Sequence, residues 1–120
     1  IVARTDDMGD NVSVDLGMVK FEPQDIPVES DTKIMSLPFS IKEGLINREV
    51  AVNAQSIDYH ISTATVGNPH CVIVVDNLDT ISLEVVGPQI ENHKLFPKRT
   101  NVEFVQIISP DYLKVRVWER

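Results

Sequence analysis

The longest unbroken apolar run of the chain is the five-residue segment from Cys71 to Val75. A short apolar run without alternation is typical of a strand that is covered on both faces of a sheet. It is far shorter than the roughly 20 apolar residues that a membrane-spanning helix needs. The segment therefore predicts a buried strand inside a soluble domain.

Alternating apolar and polar residues predict further strands around this segment. The predicted strands lie at about 11–20, at Lys33–Phe39, Glu49–Asn53 and Ser56–Thr65 with Gly44 between them, and at Val102–Ile108 and Tyr112–Arg120, which would pair antiparallel around the turn Ser109–Asp111. Strands outweigh helices and are not separated by regular helices. The pattern therefore predicts an α+β fold with a mixed, largely antiparallel sheet.

Apolar residues at three- and four-residue spacing predict one short helix, which would carry Leu83, Val86 and Ile90. Asp79 or Thr80 could cap its first turn. We expect Gly87–Pro88 to kink or restart the helix and Pro97 to end it.

The segment Phe21–Pro27 contains two prolines, and each proline pushes its predecessor out of helical geometry. We therefore expect an extended connector and a domain boundary there. The chain also opens and closes on segments with strand-like patterns, so we expect it to be a piece of a longer protein.

Charge and composition exclude some classes of function. Eleven Lys and Arg against eighteen Asp and Glu give a net charge of −7, and the sequence has no dense basic run that could follow the phosphates of a nucleic acid. We therefore do not expect a nucleic-acid-binding protein.

The single cysteine, Cys71, excludes a disulfide framework and a Cys-rich zinc site. A buried small hydrophobic residue is a more common role for it than a nucleophile. Three histidines lack the H-x-x-x-H spacing of a zinc site; we expect His60 on an exposed strand face and His93 as a cation in the last helical turn. No apolar leader follows the first residues, so we expect a cytoplasmic protein.

Three polar segments could carry chemistry. In the first, Pro69 holds Asn68 extended after the bend at Gly67, and His70 could relay a proton or orient a neighbour; the alternative is a plain β-turn with a satisfied histidine. In the second, Asn101 follows Thr100 where a loop meets a strand, a position of ligand contacts and also of ordinary turns. The third, Glu119–Arg120, matches the two charges of an amino acid, or forms a solvated surface ion pair.

Taken together, four motifs resemble the diaminopimelate epimerase family. They are Gly67-Asn68-Pro69-His70-Cys71-Val72, Gly87-Pro88-Gln89-Ile90-Glu91, the stretch from Leu95 to Val105, and Val115-Arg116-Val117-Trp118-Glu119-Arg120. Val14-Asp15-Leu16-Gly17 and Phe21-Glu22-Pro23 fit the same family. The similarity is closest from Val66 onward and loose between Ser30 and Thr65.

The resemblance implies an isomerase that converts LL-diaminopimelate to the meso form without pyridoxal phosphate, other cofactors or metal, in lysine and peptidoglycan precursor synthesis. It implies two pseudo-symmetric domains, a homodimer, and two catalytic cysteines that remove and return the α-proton. Neither cysteine segment lies in this chain, and Cys71 is not one of the pair. The 120-residue piece alone is therefore expected to be inactive.

The resemblance also implies roles for particular residues. Asn68 and Asn101 would hydrogen-bond the substrate, Glu119 would accept from its ammonium and assist catalysis, Arg120 would pair with a carboxylate, and His70 would contribute to activity. Residues 1–28 would finish the N-terminal domain and residues 29–120 would begin the C-terminal one.

Two other functions stay open at this point. One is a related cofactor-independent racemase or isomerase of the same fold that acts on another amino acid. The set Asn68, Asn101 and Arg120 would argue against it, because this set suits a substrate with a second charged amino-acid end. The other is a non-catalytic domain that binds a small molecule.

Overall fold

The computed structural model describes residues 2–5, 9, 11–46 and 49–120. The described strands are β1 (Val2–Thr5), β2 (Val12–Asp15), β3 (Leu37–Ile46), β4 (Glu49–Thr65), β5 (Pro69–Val74), β6 (Asn101–Ser109) and β7 (Tyr112–Trp118). A 3₁₀ turn spans Leu78–Thr80, and the helix α1 spans Leu83–Glu91.

Five strands form one sheet in the order β3-β4-β5-β6-β7, and β1 and β2 form a separate antiparallel pair. Within the five-stranded sheet only β5 and β6 run parallel; the other neighbours are antiparallel. A parallel pair needs a crossover connection, and α1 lies within that connection. The prediction of an α+β fold with a mixed, largely antiparallel sheet is confirmed.

The core lies between α1 and one face of this sheet. Fully buried side chains of three strands and the helix contribute to it: Ile61, Thr63, Cys71, Ile73, Val86, Ile90, Val102 and Phe104. On the opposite face of β5, Val72 is half-buried and Val74 is 60% exposed. The prediction that this strand is covered on both faces is therefore wrong for the described residues, because α1 packs against one face only.

The helix differs from its prediction at both ends. It begins at Leu83 after Ser82, while Asp79 lies in the preceding 3₁₀ turn, where its N–H donates to the Asn77 side chain. It ends at Glu91, six residues before Pro97, and the Asn92 side chain donates to the Pro88 carbonyl. Pro88 lies inside the helix and neither ends nor restarts it.

Gly87 brings the helix against the last residue of β7. A Cβ at this position would lie 2.4 Å from Cγ of Trp118. Glycine is therefore required here by the close approach of the indole ring, and its conformational freedom is not the reason.

Strand boundaries also differ from the predictions. The two predicted strands Glu49–Asn53 and Ser56–Thr65 are one 17-residue strand, β4. β3 begins at Leu37 and contains the register shift beside Gly44. β2 ends at Asp15, whose carboxylate accepts from the Gly17 N–H at 2.8 Å, and this local bond turns the chain.

The proline-rich segment is a turn, so the prediction of an extended connector is wrong. The Asp25 N–H donates to the Glu22 carbonyl at 3.0 Å, and the Val28 N–H donates to the Pro23 carbonyl at 2.9 Å. The turn places Ile26 and Val28 in the main core, and the burial of these apolar side chains stabilises it.

In the described part of the chain, the structure contains no helix long and apolar enough to cross a membrane.

Candidate functional site

One edge of the sheet collects every residue that the sequence singled out as a site candidate. Because β5 and β6 are parallel, they begin at the same edge, and β7, antiparallel to β6, ends there. Asn68 and His70 lie at the start of β5, Asn101 begins β6, and Glu119 and Arg120 follow β7. We call these five residues the site edge.

A tight turn holds Asn68 in front of β5. Gly67 has a φ of 124°, a region that favours glycine. The Thr65 hydroxyl accepts from the Gly67 N–H and donates to the Asn68 carbonyl, both at 3.0 Å. The backbone of Asn68 is thereby fixed, and its side chain is left to interact with its surroundings.

His70 makes hydrogen bonds through both ring nitrogens. Its Nε2 lies 3.1 Å from Oδ1 of Asn68, and its Nδ1 lies 2.5 Å from Oε1 of Glu103. The His70 and Glu103 side chains are 25% and 16% exposed. The histidine thus links a candidate binding residue to a largely buried carboxylate.

The buried side chain of Asn101 ties three strands together. Its Oδ1 accepts from the Arg120 N–H at 3.0 Å, and its Nδ2 donates to the Pro69 carbonyl at 3.3 Å. An amide oxygen has two lone pairs and an amide nitrogen has two hydrogens, so each atom retains capacity for one more bond. Asn101 is therefore a structural residue that can also contact a ligand.

Glu119 and Arg120 do not pair with each other. Among the described residues, the Glu119 carboxylate has no hydrogen-bond or ion-pair partner, and the Arg120 guanidinium donates to the Lys98 carbonyl at 3.1 Å. The alternative of a surface ion pair between them is wrong. An acceptor and a donor of opposite charge are both available at the site edge.

A buried carboxylate holds the side chain of Trp118, just before these two residues. Glu91, 7% exposed, accepts from Nε1 of Trp118 and from the Arg99 guanidinium, both at 2.9 Å. Arg99 has a φ of 62°, which turns the loop that leads to Asn101. The end of α1 therefore positions two of the three chain segments that carry the site edge, those of Asn101 and of Glu119–Arg120.

Cys71 and the remaining histidines lie outside the site edge. Burial, together with the nearby Glu103 carboxylate, raises the pKa of the Cys71 thiol to about 12, so the thiol stays protonated at neutral pH, as expected for a buried small side chain. His60 is exposed, as predicted. The prediction of His93 as a cation is wrong, because burial and then Lys94 lower its pKa, and its Nδ1 accepts from the Leu95 N–H at 3.1 Å.

Within the site edge, Glu119 and Arg120 are exposed, Asn68 and His70 are half-buried and Asn101 is buried. A cleft of about 530 Å³ lies at the opposite end of β5, where Val74, Asp76 and His60 contribute to its walls. Size therefore does not identify the site; the chemistry of its side chains does.

Sequence analysis missed Glu103 as a site residue. The available signal was its spacing, because residues two apart on a strand share a face, and Glu103 follows Asn101 by two. Its contact with His70 depends on the parallel register of β5 and β6, which no local pattern in the sequence indicates.

Comparison with known proteins points to one family. Residues 62–120 match the family model described as diaminopimelate epimerase. The chain is 39% identical over 114 residues to the diaminopimelate epimerase of Microcystis aeruginosa, covering 92% of this chain and 36% of the relative. It is 44% identical over 109 residues to that of Carboxydothermus hydrogenoformans, covering 91% of this chain and 35% of the relative. The chain thus spans about a third of the length of the curated relatives it matches.

Proposed function

Because the chain belongs to the diaminopimelate epimerase family, we propose that the protein containing it interconverts LL- and meso-diaminopimelate. The observation that carries the proposal is the convergence of two amides, a carboxylate and a guanidinium at one sheet edge. An amino-acid end of the substrate carries one ammonium and one carboxylate, and this set can bond both.

Each residue of the site edge has a proposed role in holding the substrate. The amides of Asn68 and Asn101 hydrogen-bond its distal amino-acid end. The Glu119 carboxylate accepts from a substrate ammonium and assists catalysis, and the Arg120 guanidinium pairs with a carboxylate. His70 contributes to activity through its bond to Asn68.

The proposed reaction inverts one α-carbon by proton transfer, without pyridoxal phosphate or metal. One thiolate removes the α-proton, and a second thiol returns a proton to the opposite face of the carbanion. The protonated, buried Cys71 is not one of these groups. This chain therefore supplies substrate contacts and no acid–base thiol, and we expect it to be inactive alone.

The architecture and setting of the full-length protein are proposals as well. We propose two pseudo-symmetric domains with residues 1–28 ending the first, a homodimer, and a cytoplasmic location in lysine and peptidoglycan precursor synthesis. The β1–β2 pair supports a domain outside the main sheet, because Val12 and Val14 are exposed and a lone two-stranded hairpin is marginally stable. Ile26 and Val28, just before the proposed boundary, belong to the same core as the sheet and α1.

The test is deuterium incorporation at the α-carbon of LL-diaminopimelate, measured with the full-length protein in heavy water. We expect deuterium at that carbon together with formation of the meso isomer, and on the order of 100-fold slower exchange in Glu119→Gln. Glu84→Gln serves as the matched control because Glu84 is exposed in the first turn of α1, away from the site edge.

Two results would contradict the proposal. If the folded protein with reduced thiols exchanged the α-proton of neither stereoisomer, the site would serve a different amino acid or none. If Glu119→Gln exchanged as fast as Glu84→Gln, the site edge would have no part in the reaction.

A further inference from the structure

Glu103 stands beside the site edge on the sheet face opposite α1. In register it faces Val72 of β5 and Val117 of β7, so its side chain lies between two valines. Its Oε1 bonds Nδ1 of His70, while its Oε2 is buried and has no partner among the described residues. Among the described residues, His70 is thus the only hydrogen-bond partner of the Glu103 carboxylate.

The chemistry of the pair fixes the position of one proton. An ionised carboxylate only accepts hydrogen bonds, so the hydrogen between the two residues belongs to Nδ1 of His70. The other ring nitrogen, Nε2, then carries a second proton or a bare lone pair. Which of these it carries decides how it can bond Asn68, whose amide lies 3.1 Å away.

The two states of Nε2 present opposite ends of the Asn68 amide. A protonated Nε2 donates to Oδ1 of Asn68, and the amide nitrogen is then free to donate to a ligand carboxylate. A bare Nε2 requires a donor, so the amide turns over and offers its oxygen to a ligand ammonium. An amino-acid ligand contains both groups, so this orientation bears on recognition.

We propose that Glu103 is a positioning residue that fixes a proton on Nδ1 of His70, so that Nε2 alone selects which end of the Asn68 amide faces the substrate. The inference rests on the proposed function, in which Asn68 contacts the substrate. Glu103 itself acts through His70 and does not touch the substrate.

The test compares the full-length protein with Glu103→Gln and with the exposed control Glu84→Gln. Nitrogen-15 NMR of the histidine rings reports which nitrogen carries the proton, and the spectrum of His70→Asn identifies the signals of His70. A glutamine offers both an amide N–H that can donate to Nδ1 and a carbonyl that can accept from it, so it no longer restricts the ring proton to Nδ1. We expect Nδ1 to be fully protonated in the unsubstituted protein and in Glu84→Gln, and to be a bare nitrogen in a measurable fraction of Glu103→Gln above neutral pH.

The same proteins are compared in the α-carbon exchange assay. We expect kcat/KM for LL-diaminopimelate to fall on the order of 10–100-fold in Glu103→Gln, as for other histidines that lose their orienting partner. Glu103→Asp retains a carboxylate that only accepts, so it should keep the proton on Nδ1 and recover part of the activity. Far-UV circular dichroism checks that each variant is folded.

Three results would overturn the inference: an Nδ1 as fully protonated in Glu103→Gln as in Glu84→Gln, an exchange rate equal in those two variants, or a Glu103→Asp variant less active than Glu103→Gln. Failure of the unsubstituted protein to exchange the α-proton is a different outcome. It refutes the proposed function, and the position of the His70 proton in the NMR spectra then decides the inference without reference to activity.

Discussion

Asn101→Asp removes one of the two hydrogen bonds by which the Asn101 side chain joins three strands. The substitution leaves the size and shape of the side chain nearly unchanged. The carboxylate still accepts from the Arg120 N–H, but it has no hydrogen to donate to the Pro69 carbonyl, which lies 3.3 Å from Nδ2 of Asn101. The lost bond costs about 1 kcal/mol, and the unpaired carboxylate oxygen, buried against the Pro69 carbonyl, costs about 1–3 kcal/mol more. The stronger bond from Arg120 to a charged oxygen returns about 1 kcal/mol. We therefore expect the free energy of unfolding to fall by about 1–3 kcal/mol at pH 7.

The cost should depend on pH in a defined direction. A protonated carboxyl group can donate to the Pro69 carbonyl, so the folded state favours protonation and raises the pKa of the new carboxyl above its unfolded value of about 4. The destabilisation is therefore present above the folded-state pKa and is lost as the pH falls through it. Equilibrium urea unfolding of the full-length protein, with and without the substitution, measures this cost at pH 7 and at acid pH.

The matched control is Asn92→Asp. The Asn92 side chain also donates to a backbone carbonyl, that of Pro88 at 2.9 Å, but it is exposed to water. Water replaces the lost bond there, and a carboxylate at the end of a helix costs about 0.3–1 kcal/mol. The reasoning is refuted if Asn101→Asp costs no more than Asn92→Asp at pH 7, or if its cost is the same at acid pH.

Three further predictions concern packing and titration. Gly87→Ala should lower the free energy of unfolding by about 1–2 kcal/mol, because the clash with Trp118 at 2.4 Å outweighs the gain of about 1 kcal/mol in helix propensity; urea unfolding measures it, and a stabilised variant would contradict the close packing. Cys71, with a pKa of about 12 and no exposed surface, should resist iodoacetamide at pH 8 in the folded protein and react in urea, as mass spectrometry of the Cys71 peptide would reveal; equal labelling in both states would be inconsistent with its burial. Because the folded state lowers the pKa of His93 from 6.5, its contribution to stability should decrease as the pH falls below about 6.5, and unfolding curves of His93→Gln should lack this component; an identical pH dependence in the two proteins would exclude it.

The strand-rich half of the fold was predictable because its local pattern is strong. Tyr112–Trp118 alternates apolar and polar residues with period two, and Ser109–Asp111 supplies the turn before it. The helix ends were not predictable in the same way. Asn77 takes the capping role for a separate 3₁₀ turn, and Pro88 lies in a helix that packing against Trp118 stabilises. The Asn77 cap is a local bond to the Asp79 N–H that competes with the predicted cap, whereas the helix around Pro88 depends on a tertiary contact that local sequence does not indicate.

For the site, the motifs selected residues that the structure brings together at one sheet edge, but they could not give the contacts between them. Asn101 pairs in register with His70, although 31 positions separate them along the chain, and this pairing brings Glu103 to the histidine. The exposure of one face of β5 was likewise not predictable from local sequence. The apolar run from Cys71 to Val75 indicates burial, yet the number of covered faces depends on what packs against the sheet.

The most direct measurement is a crystal structure of the full-length protein with diaminopimelate bound. We expect one amino-acid end of the ligand within hydrogen-bond distance, about 2.7–3.2 Å, of the Asn68 and Asn101 amides, with a ligand ammonium at Glu119 and a ligand carboxylate at Arg120. A ligand bound elsewhere, with these four side chains facing solvent, would contradict the assignment of this sheet edge as the substrate site.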